Sequence, residues 1–367
     1  MVLNSVVGRG FLWVVVLLAG GCQMAPLSTS HGSVAALETA VAPTQLTIEA
    51  PMAWGGALRC GVQGCLIGLV EHENSKIVVH KLDGRKSRLL DRQSVAYHPD
   101  SAAWISDSLL VAAVEVSTSL DIFRVEGERL ARLQQVPIGF APRDVIVVKS
   151  AAGVHTLLAT PYSGQTVAWV QWYEDDREAV KVRHTVWCEA PWHPVKVEKI
   201  PGQASGGLVV ACLDSRKVVA VSETDWLAQP RVLAQFDSIA RQVRPSPSGL
   251  WLYAALETGG RNARINMETG ALQWIVAPPT GSVAAAPIDD DLVIWGDDRQ
   301  LHLQQLDDQG AVQETRWLKT SGFSTGLQLV DADHDGVQDL VVFNSSGDKM
   351  DVIYGPLWER AAKKAFH

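Results

Sequence analysis

The sequence predicts an all-β fold, a seven-bladed β-propeller preceded by an export signal, and three observations carry that prediction. An alternating apolar strand, a short polar turn and a second alternating strand recur in units beginning at residues 65, 109, 156, 208, 250, 292 and 340. These starts lie 42–52 residues apart, the span of one four-stranded blade. Thirty Gly and seventeen Pro punctuate Val-rich runs, the pattern of a turn-dense β protein. Composition agrees: 47% of the 367 residues are hydrophobic and 20% charged, which excludes general disorder. The 32 Lys and Arg against 40 Asp and Glu leave a net charge of -8, so a basic surface for nucleic acid is excluded as well.

The first element is an address. Residues 1–21 hold Arg9, an apolar run over 11–18 and the small residues Ala19, Gly20 and Gly21. That is a secretory signal, too short to span a bilayer with margin. Leu18-Ala-Gly-Gly-Cys22 resembles a bacterial lipobox, which implies a diacylglycerol group on the Cys22 thiol; the alternative is an ordinary signal peptide with a chance Cys. The resemblance to Gram-negative lipoproteins, with Gln23 as second residue, implies a lipid anchor in the outer membrane on its periplasmic face. Residues 22–43, rich in Ser, Ala, Thr and Pro, read as a flexible tether.

The propeller is expected over 44–356. Its hairpins are 65–70 with 77–82, 109–114 with 120–125, 156–160 with 166–170, 208–213 with 218–221, 250–255 with 263–266, 292–295 with 301–304, and 340–343 with 350–354. Strands such as 144–148 before a hairpin and 271–276 after one complete each blade, which cannot bury both faces alone. The seventh blade lacks an outer strand, because residues 357–367 read as a short helix or tail. Residues 44–50 alternate, with Leu46 and Ile48 on one face, and are expected to close the ring; extension of the tether is the alternative.

Beyond Cys22, four cysteines remain. An even number in an exported chain favours disulfides, of which three pairings exist, and Cys60–Cys65 with Cys188–Cys212 is the favoured set. A four-Cys zinc site would need CxxC spacing that Cys60 and Cys65 lack.

Three repeat families resemble parts of the chain. Asn266-Met-Glu-Thr-Gly-Ala-Leu-Gln-Trp274 is similar to the end of a PQQ-like repeat, where the Trp packs between blades. Arg244-Pro-Ser-Pro-Ser-Gly-Leu-Trp-Leu-Tyr253 is similar to the Ser-Pro-Asp-Gly turns of other propellers, with Ser248 in place of Asp. Asp331-Ala-Asp-His-Asp-Gly-Val-Gln-Asp-Leu340 resembles an FG-GAP or VCBS repeat of integrin-like propellers, the most specific of the three. Asp331, Asp333 and Asp335 alternate on a loop that Gly336 lets turn sharply, and Asp339 is expected to return a fourth carboxylate. Oxygen ligands alone select Ca²⁺ over zinc, and the family implies the Val337 carbonyl as a further ligand. The following Leu340-Val-Val-Phe strand excludes an EF-hand, while a solvated acidic turn stays open.

Catalytic constellations are thin. The chain lacks the length and the adjacent cysteines that the PQQ-like resemblance would imply for a quinoprotein dehydrogenase, and that family also includes non-enzymatic lipoproteins. No Gly-x-Ser-x-Gly elbow occurs. His72, between Glu71 and Glu73 at a hairpin turn, reads as part of a solvated charge cluster. Of thirteen Trp, those at 251, 274 and 295 read as blade packing. Trp187, Trp192 and His193 on a Pro-rich connector form a candidate recognition patch, with burial against the next blade as the alternative. The expected function is a lipid-anchored, non-enzymatic scaffold for an envelope protein or glycan, with structural calcium. The alternative is a periplasmic enzyme with its site in the propeller funnel, acting on a sugar or redox substrate.

Overall fold

A computed structural model describes residues 44–358, apart from Gln63 and Thr224. The expected signal, Cys22 and the tether lie outside the described residues. So does the chain from 359 onward, and the expected helix over 357–367 is described only at Leu357 and Trp358.

Among the described residues the regular structure is strand, save one 3-10 turn at Arg177–Ala179. The chain opens with β1 (Gln45–Glu49), then forms five four-stranded antiparallel sheets in sequence order. The first holds β2 (Ala53–Gly61), β3 (Gly64–Glu71), β4 (Lys76–Asp83) and β5 (Lys86–Ser94). The second holds β6 (Pro99–Trp104), β7 (Leu109–Val114), β8 (Ser119–Glu126) and β9 (Arg129–Pro137). Next come β10 (Pro142–Ala151), β11 (Val154–Pro161), β12 (Thr166–Tyr173) and β13 (Lys181–Val186). The fourth sheet is β14 (Pro191–Val197), β15 (Gly207–Cys212), β16 (Lys217–Ser222) and β17 (Arg231–Gln235). The fifth is β18 (Ala240–Pro245), β19 (Trp251–Leu256), β20 (Arg261–Asn266) and β21 (Leu272–Val276).

The remaining strands are β22 (Ala284–Pro287), β23 (Leu292–Gly296), β24 (Asp298–Leu306), β25 (Val312–Val330), β26 (Asp339–Asn344) and β27 (Lys349–Ile353). They join one seven-stranded sheet, because β25 is shared: its first part pairs with β24 and Ser324 to Val330 pair with β26. At the far edge of that sheet β1 pairs antiparallel with β27, from Gln45 opposite Ile353 to Glu49 opposite Lys349. Residues 44–50 thus supply the outer edge of the last sheet, as expected.

Every hairpin read from the sequence is a pair of middle strands. All residues of β7, β15 and β26 are buried, since these strands have a neighbouring sheet on both faces; the outer strands β9 and β13 are mostly exposed. The apolar core is correspondingly divided into clusters between adjacent sheets, such as the one joining Val111, Leu120 and Ile122 to Leu157, Val170 and Trp172. First strands pack against one another in the cyclic order β2, β6, β10, β14, β18, β22, β25 and back to β2.

Two disulfides form, Cys60–Cys65 across the β2–β3 hairpin and Cys188–Cys212 between a connector and β15, the favoured pairings. They point to an oxidising, exported compartment. No described helix is long and apolar enough to cross a membrane. Trp295 is fully buried, with its indole N–H donating to Gln304 Oε1 at 2.9 Å. Trp274, in the middle of β21, packs edge-on against Phe236 after β17 of the neighbouring sheet at 5.8 Å, while its other side is 39% exposed under the Arg261 guanidinium at 3.8 Å.

Candidate functional site

The first strands carry a shared irregularity. In β2, β6, β10, β14, β18 and the second part of β25 the pairing register shifts near the strand start, leaving Trp54, Asp100, Arg143, His193 with Pro194, Arg241 and Thr325 without ladder partners. A bulge adds a residue to one strand and re-aims its side chain. Repeated around a ring, it turns large and polar groups toward one mouth. A cavity of about 170 Å³ lies between these strands, and Asp100, Asp144, His193, Gln242, Arg244 and Gln328 contribute to its wall.

Two histidine–aspartate pairs meet this wall, one through both His193 and Asp144 and the other through Asp100 alone. His193 Nδ1 lies 3.1 Å from Asp144 Oδ2, and Asp144 Oδ1 accepts from the Val145 backbone N–H at 2.8 Å. Burial would raise the Asp144 pKa, but the bond to His193 and the backbone donor hold it below the usual carboxylate range. His193 is pushed down, by burial first and by the charges of Arg244 and Arg143, against the opposing pull of Asp144. The pair is therefore a carboxylate holding a neutral imidazole by its Nδ1–H, with Nε2 as the basic nitrogen.

The second pair is His72 Nδ1 with Asp100 Oδ1 at 3.1 Å, supported by the Pro99 carbonyl at 3.2 Å. Burial opposes protonation of His72, yet the Asp100 contact outweighs it and raises the imidazole. This corrects the sequence reading of His72 as a solvated turn residue: its side chain is only 12% exposed, stacked between Trp54 and His98 at 5.1 and 4.3 Å.

Arg244 lines the cavity, and two further arginines lie against the Trp192 ring of its wall. The Arg143 guanidinium lies 4.2 Å from the Trp192 ring and 4.8 Å from that of Tyr162, and its buried Nε has no hydrogen-bond partner. Arg241 covers Trp192 at 5.5 Å while paired in bidentate fashion with Glu257. Arg244, pushed down to about 10 by desolvation, keeps its charge at neutral pH.

The recognition patch expected on the connector does not form as a unit. Pro191–Val197 is a strand rather than a loop, so Trp192 and His193 belong to the funnel wall, while Trp187 packs edge-on against Trp169 at 5.9 Å. Both Trp187 and Trp192 are buried, at 7% and 6%. Hydrophobic burial of a large ring decides against exposure on that connector.

At the acidic loop, carboxylate oxygens of Asp331, Asp333 and Asp335 lie within 4.8 Å of one another. Gly336 sits at φ +85, where a side chain would be strained, and its N–H donates to Asp331 Oδ2 at 3.1 Å. Asp331 Oδ1 is buried without a partner, an orphan that suits an oxygen-bound cation. Asp339 stands apart: it accepts the Ala332 and Gly355 N–H groups, both at 2.8 Å, and so fastens the loop from behind. Val337 N–H donates to Asp335 Oδ1 at 2.8 Å. Arg85 from the β4–β5 turn reaches Asp333 Oδ2 at 2.8 Å and Asp335 at 3.8 Å, a cation 248 residues away in sequence.

No family model and no curated protein matches the chain. Solved structures do. A catalytically inactive variant of virginiamycin B lyase from Staphylococcus aureus, with quinupristin, is 11% identical at a TM-score of 0.62, over 85% of this chain and 99% of that one. That enzyme is a β-propeller. The fold of this chain is a β-propeller. A functionally unknown protein from Desulfotomaculum acetoxidans shares it at 11% identity and TM-score 0.52, over 71% of this chain and 84% of that one. At such identity the likeness carries the fold alone. Trp192 and His193 are singled out by the sequence but placed on a connector, whereas Asp100, Asp144, Gln242, Arg244 and Gln328 escape notice because each reads as part of an ordinary strand. Their signal is positional: Pro99-Asp100, Pro142-Arg143-Asp144 and Trp192-His193-Pro194 all fall shortly before a hairpin.

Proposed function

We propose that the protein is a lipid-anchored, seven-bladed propeller of the bacterial outer membrane that acts as a non-enzymatic scaffold, holding an anionic group of a protein or glycan partner at its funnel mouth. The observation that carries this reading is Arg143, which stacks on Trp192 and Tyr162 but leaves its buried Nε–H without an acceptor. A carboxylate, sulfate or phosphate that reaches the Arg143 guanidinium behind the Trp192 of the funnel wall would meet a donor already stripped of water, where a charge-assisted bond is strongest. The cyclic contact of seven first strands supports the blade count, and the lipobox with the two disulfides supports the address. Isolation from detergent-solubilised envelopes should recover one partner whose affinity falls about tenfold or more in Arg143→Ala. Equal retention by Arg143→Ala, or no partner together with turnover of a small substrate, overturns the scaffold.

The acidic loop is read as a structural calcium site held by Asp331, Asp333 and Asp335 with the Val337 carbonyl, Asp339 keeping the loop in shape. The gathered hard oxygens and the orphaned Asp331 Oδ1 support it. Chelation should lower the melting temperature of the wild type, and Asp333→Ala should remove that sensitivity. A melting temperature indifferent to chelator removes the ion.

One observation favours the funnel enzyme as a second reading. The Asp144–His193 pair offers a neutral imidazole oriented by a carboxylate, the form of a general base, beside the Arg244 cation. On that reading His193→Gln abolishes turnover of a sugar or redox substrate; a substrate turned over equally by the variant rules it out.

A further inference from the structure

A second constellation at the same mouth is absorbed by neither reading. The β3–β4 turn carries His72 and Glu73, and the β5–β6 connector brings His98 beside them. One ligand atom from each of the three lies within 4.8 Å of the other two. We propose that His72, Glu73 and His98 bind a late first-row divalent cation, with Zn²⁺ as the ion to test.

Three features argue for a metal rather than a chance meeting of polar groups. Each histidine has its Nδ1 against a carboxylate: His72 against Asp100 at 3.1 Å and His98 against Glu115 at 3.4 Å. Carboxylates behind the imidazoles fix the Nδ1–H tautomer and turn Nε2 into the ligand lone pair, the arrangement that orients metal-bound histidines. His98 Nε2 is buried with no hydrogen-bond partner, a donor or acceptor left unmet unless something binds it. Two imidazoles and one carboxylate are also the donor set of zinc and its neighbours, unlike the all-oxygen loop at Asp331.

The same geometry says what must move. The His72 and His98 rings are stacked with an interplanar angle of 16°, so both Nε2 atoms meet one ion only after one ring turns out of the stack. His98 is the ring that turns, pivoting at its Nδ1 contact with Glu115, since its side chain is 27% exposed, against 12% for His72. Three protein ligands leave a fourth position open. Tyr97, whose hydroxyl donates to Glu73 Oε2 at 3.3 Å, borders it, and Asp100 behind His72 belongs to the funnel wall. A bound ion would therefore sit at the funnel rim.

The test is titration of the untagged full chain, freed of metal, with Zn²⁺ in competition with a chromophoric chelator. Co²⁺ absorption serves as a second probe of imidazole ligation. Expected is one equivalent of Zn²⁺, weakened about a hundredfold or more in His98→Gln and about tenfold in Glu115→Gln, and unchanged in Asp333→Ala. Glu73→Gln is the variant that cannot be dismissed as misfolded, because Glu73 is exposed, and it should weaken binding as well. Wild-type chain that takes up no stoichiometric Zn²⁺, or takes it up equally in Glu73→Gln and His98→Gln, overturns the site and leaves an aromatic stack of Trp54, His72, His98 and Tyr97.

Discussion

His80 and His302 sit inside middle strands, 5% and 2% exposed, where the sequence pattern offers a place for an apolar residue. Burial pushes both down to about 4, helped at His80 by the charge of Arg92 and opposed at His302 by Asp297. Unfolded histidine titrates near 6.5, so these residues contribute stability that is present above that pH and is lost as pH falls from about 6.5 toward about 4. Each should cost on the order of 2 kcal/mol by about pH 5. His193 is shifted in the same direction and adds to the effect. Urea midpoints at neutral and mildly acidic pH should separate accordingly, and His80→Leu should recover its share, because neither ring nitrogen has a hydrogen bond to lose. An identical acid loss in that variant and the wild type would count against the buried neutral form.

Among elements, the last sheet is held by one side chain. Asp351 on β27 is fully buried and accepts from Gln45 Nε2 at 2.8 Å, Ser321 Oγ at 2.6 Å, the Ser321 N–H at 2.7 Å and Asn344 Nδ2 at 3.0 Å. It thereby ties β1, β25 and β26 to its own strand. The Thr47 hydroxyl on β1 is a fifth donor at 3.3 Å, so Asp351→Ala leaves five donors unmet and should cost about 3 kcal/mol or more, read from chemical denaturation; a loss below about 1 kcal/mol would mean that water replaces the carboxylate. In the fourth sheet Gly207 has the reverse constraint. A Cβ there would stand 2.0 Å from the Val221 carbonyl oxygen, so Gly207→Ala should lower the melting temperature, and an unchanged value would show that β15 and β16 can part.

For the whole molecule, closure rests on strand pairing between the two ends of the described chain. A chain begun after Glu49 would expose the β27 edge along its length, and an unpaired edge invites association. Lower thermal stability and concentration-dependent oligomers are expected by calorimetry and light scattering. A truncated chain that melts like the wild type as a monomer would show that β1 is dispensable. The -8 net charge looks different at this scale, because much of the acid is engaged locally: Asp333 by Arg85, Asp144 by His193, Glu257 by Arg241.

What the sequence determined by itself is what local pattern can encode. Middle strands such as β7 and β15 were legible because a strand covered on both faces must be apolar throughout, and the repeat of 42–52 residues follows from one pair of middle strands per unit. Cys60–Cys65 was legible because a separation of 5 leaves a hairpin as the simple solution. Tertiary structure alone decided the rest. β25 runs 19 residues through the seven-stranded sheet, pairing first with β24 and then with β26, and no local signal marks where its partner changes. The funnel depends on bulges, and a bulge is a relation of register between two strands rather than a property of either. His193 meets Asp144 across 49 residues and Arg85 meets Asp333 across 248, so the chemistry of the mouth and the charge balance of the acidic loop exist only once the ring has closed.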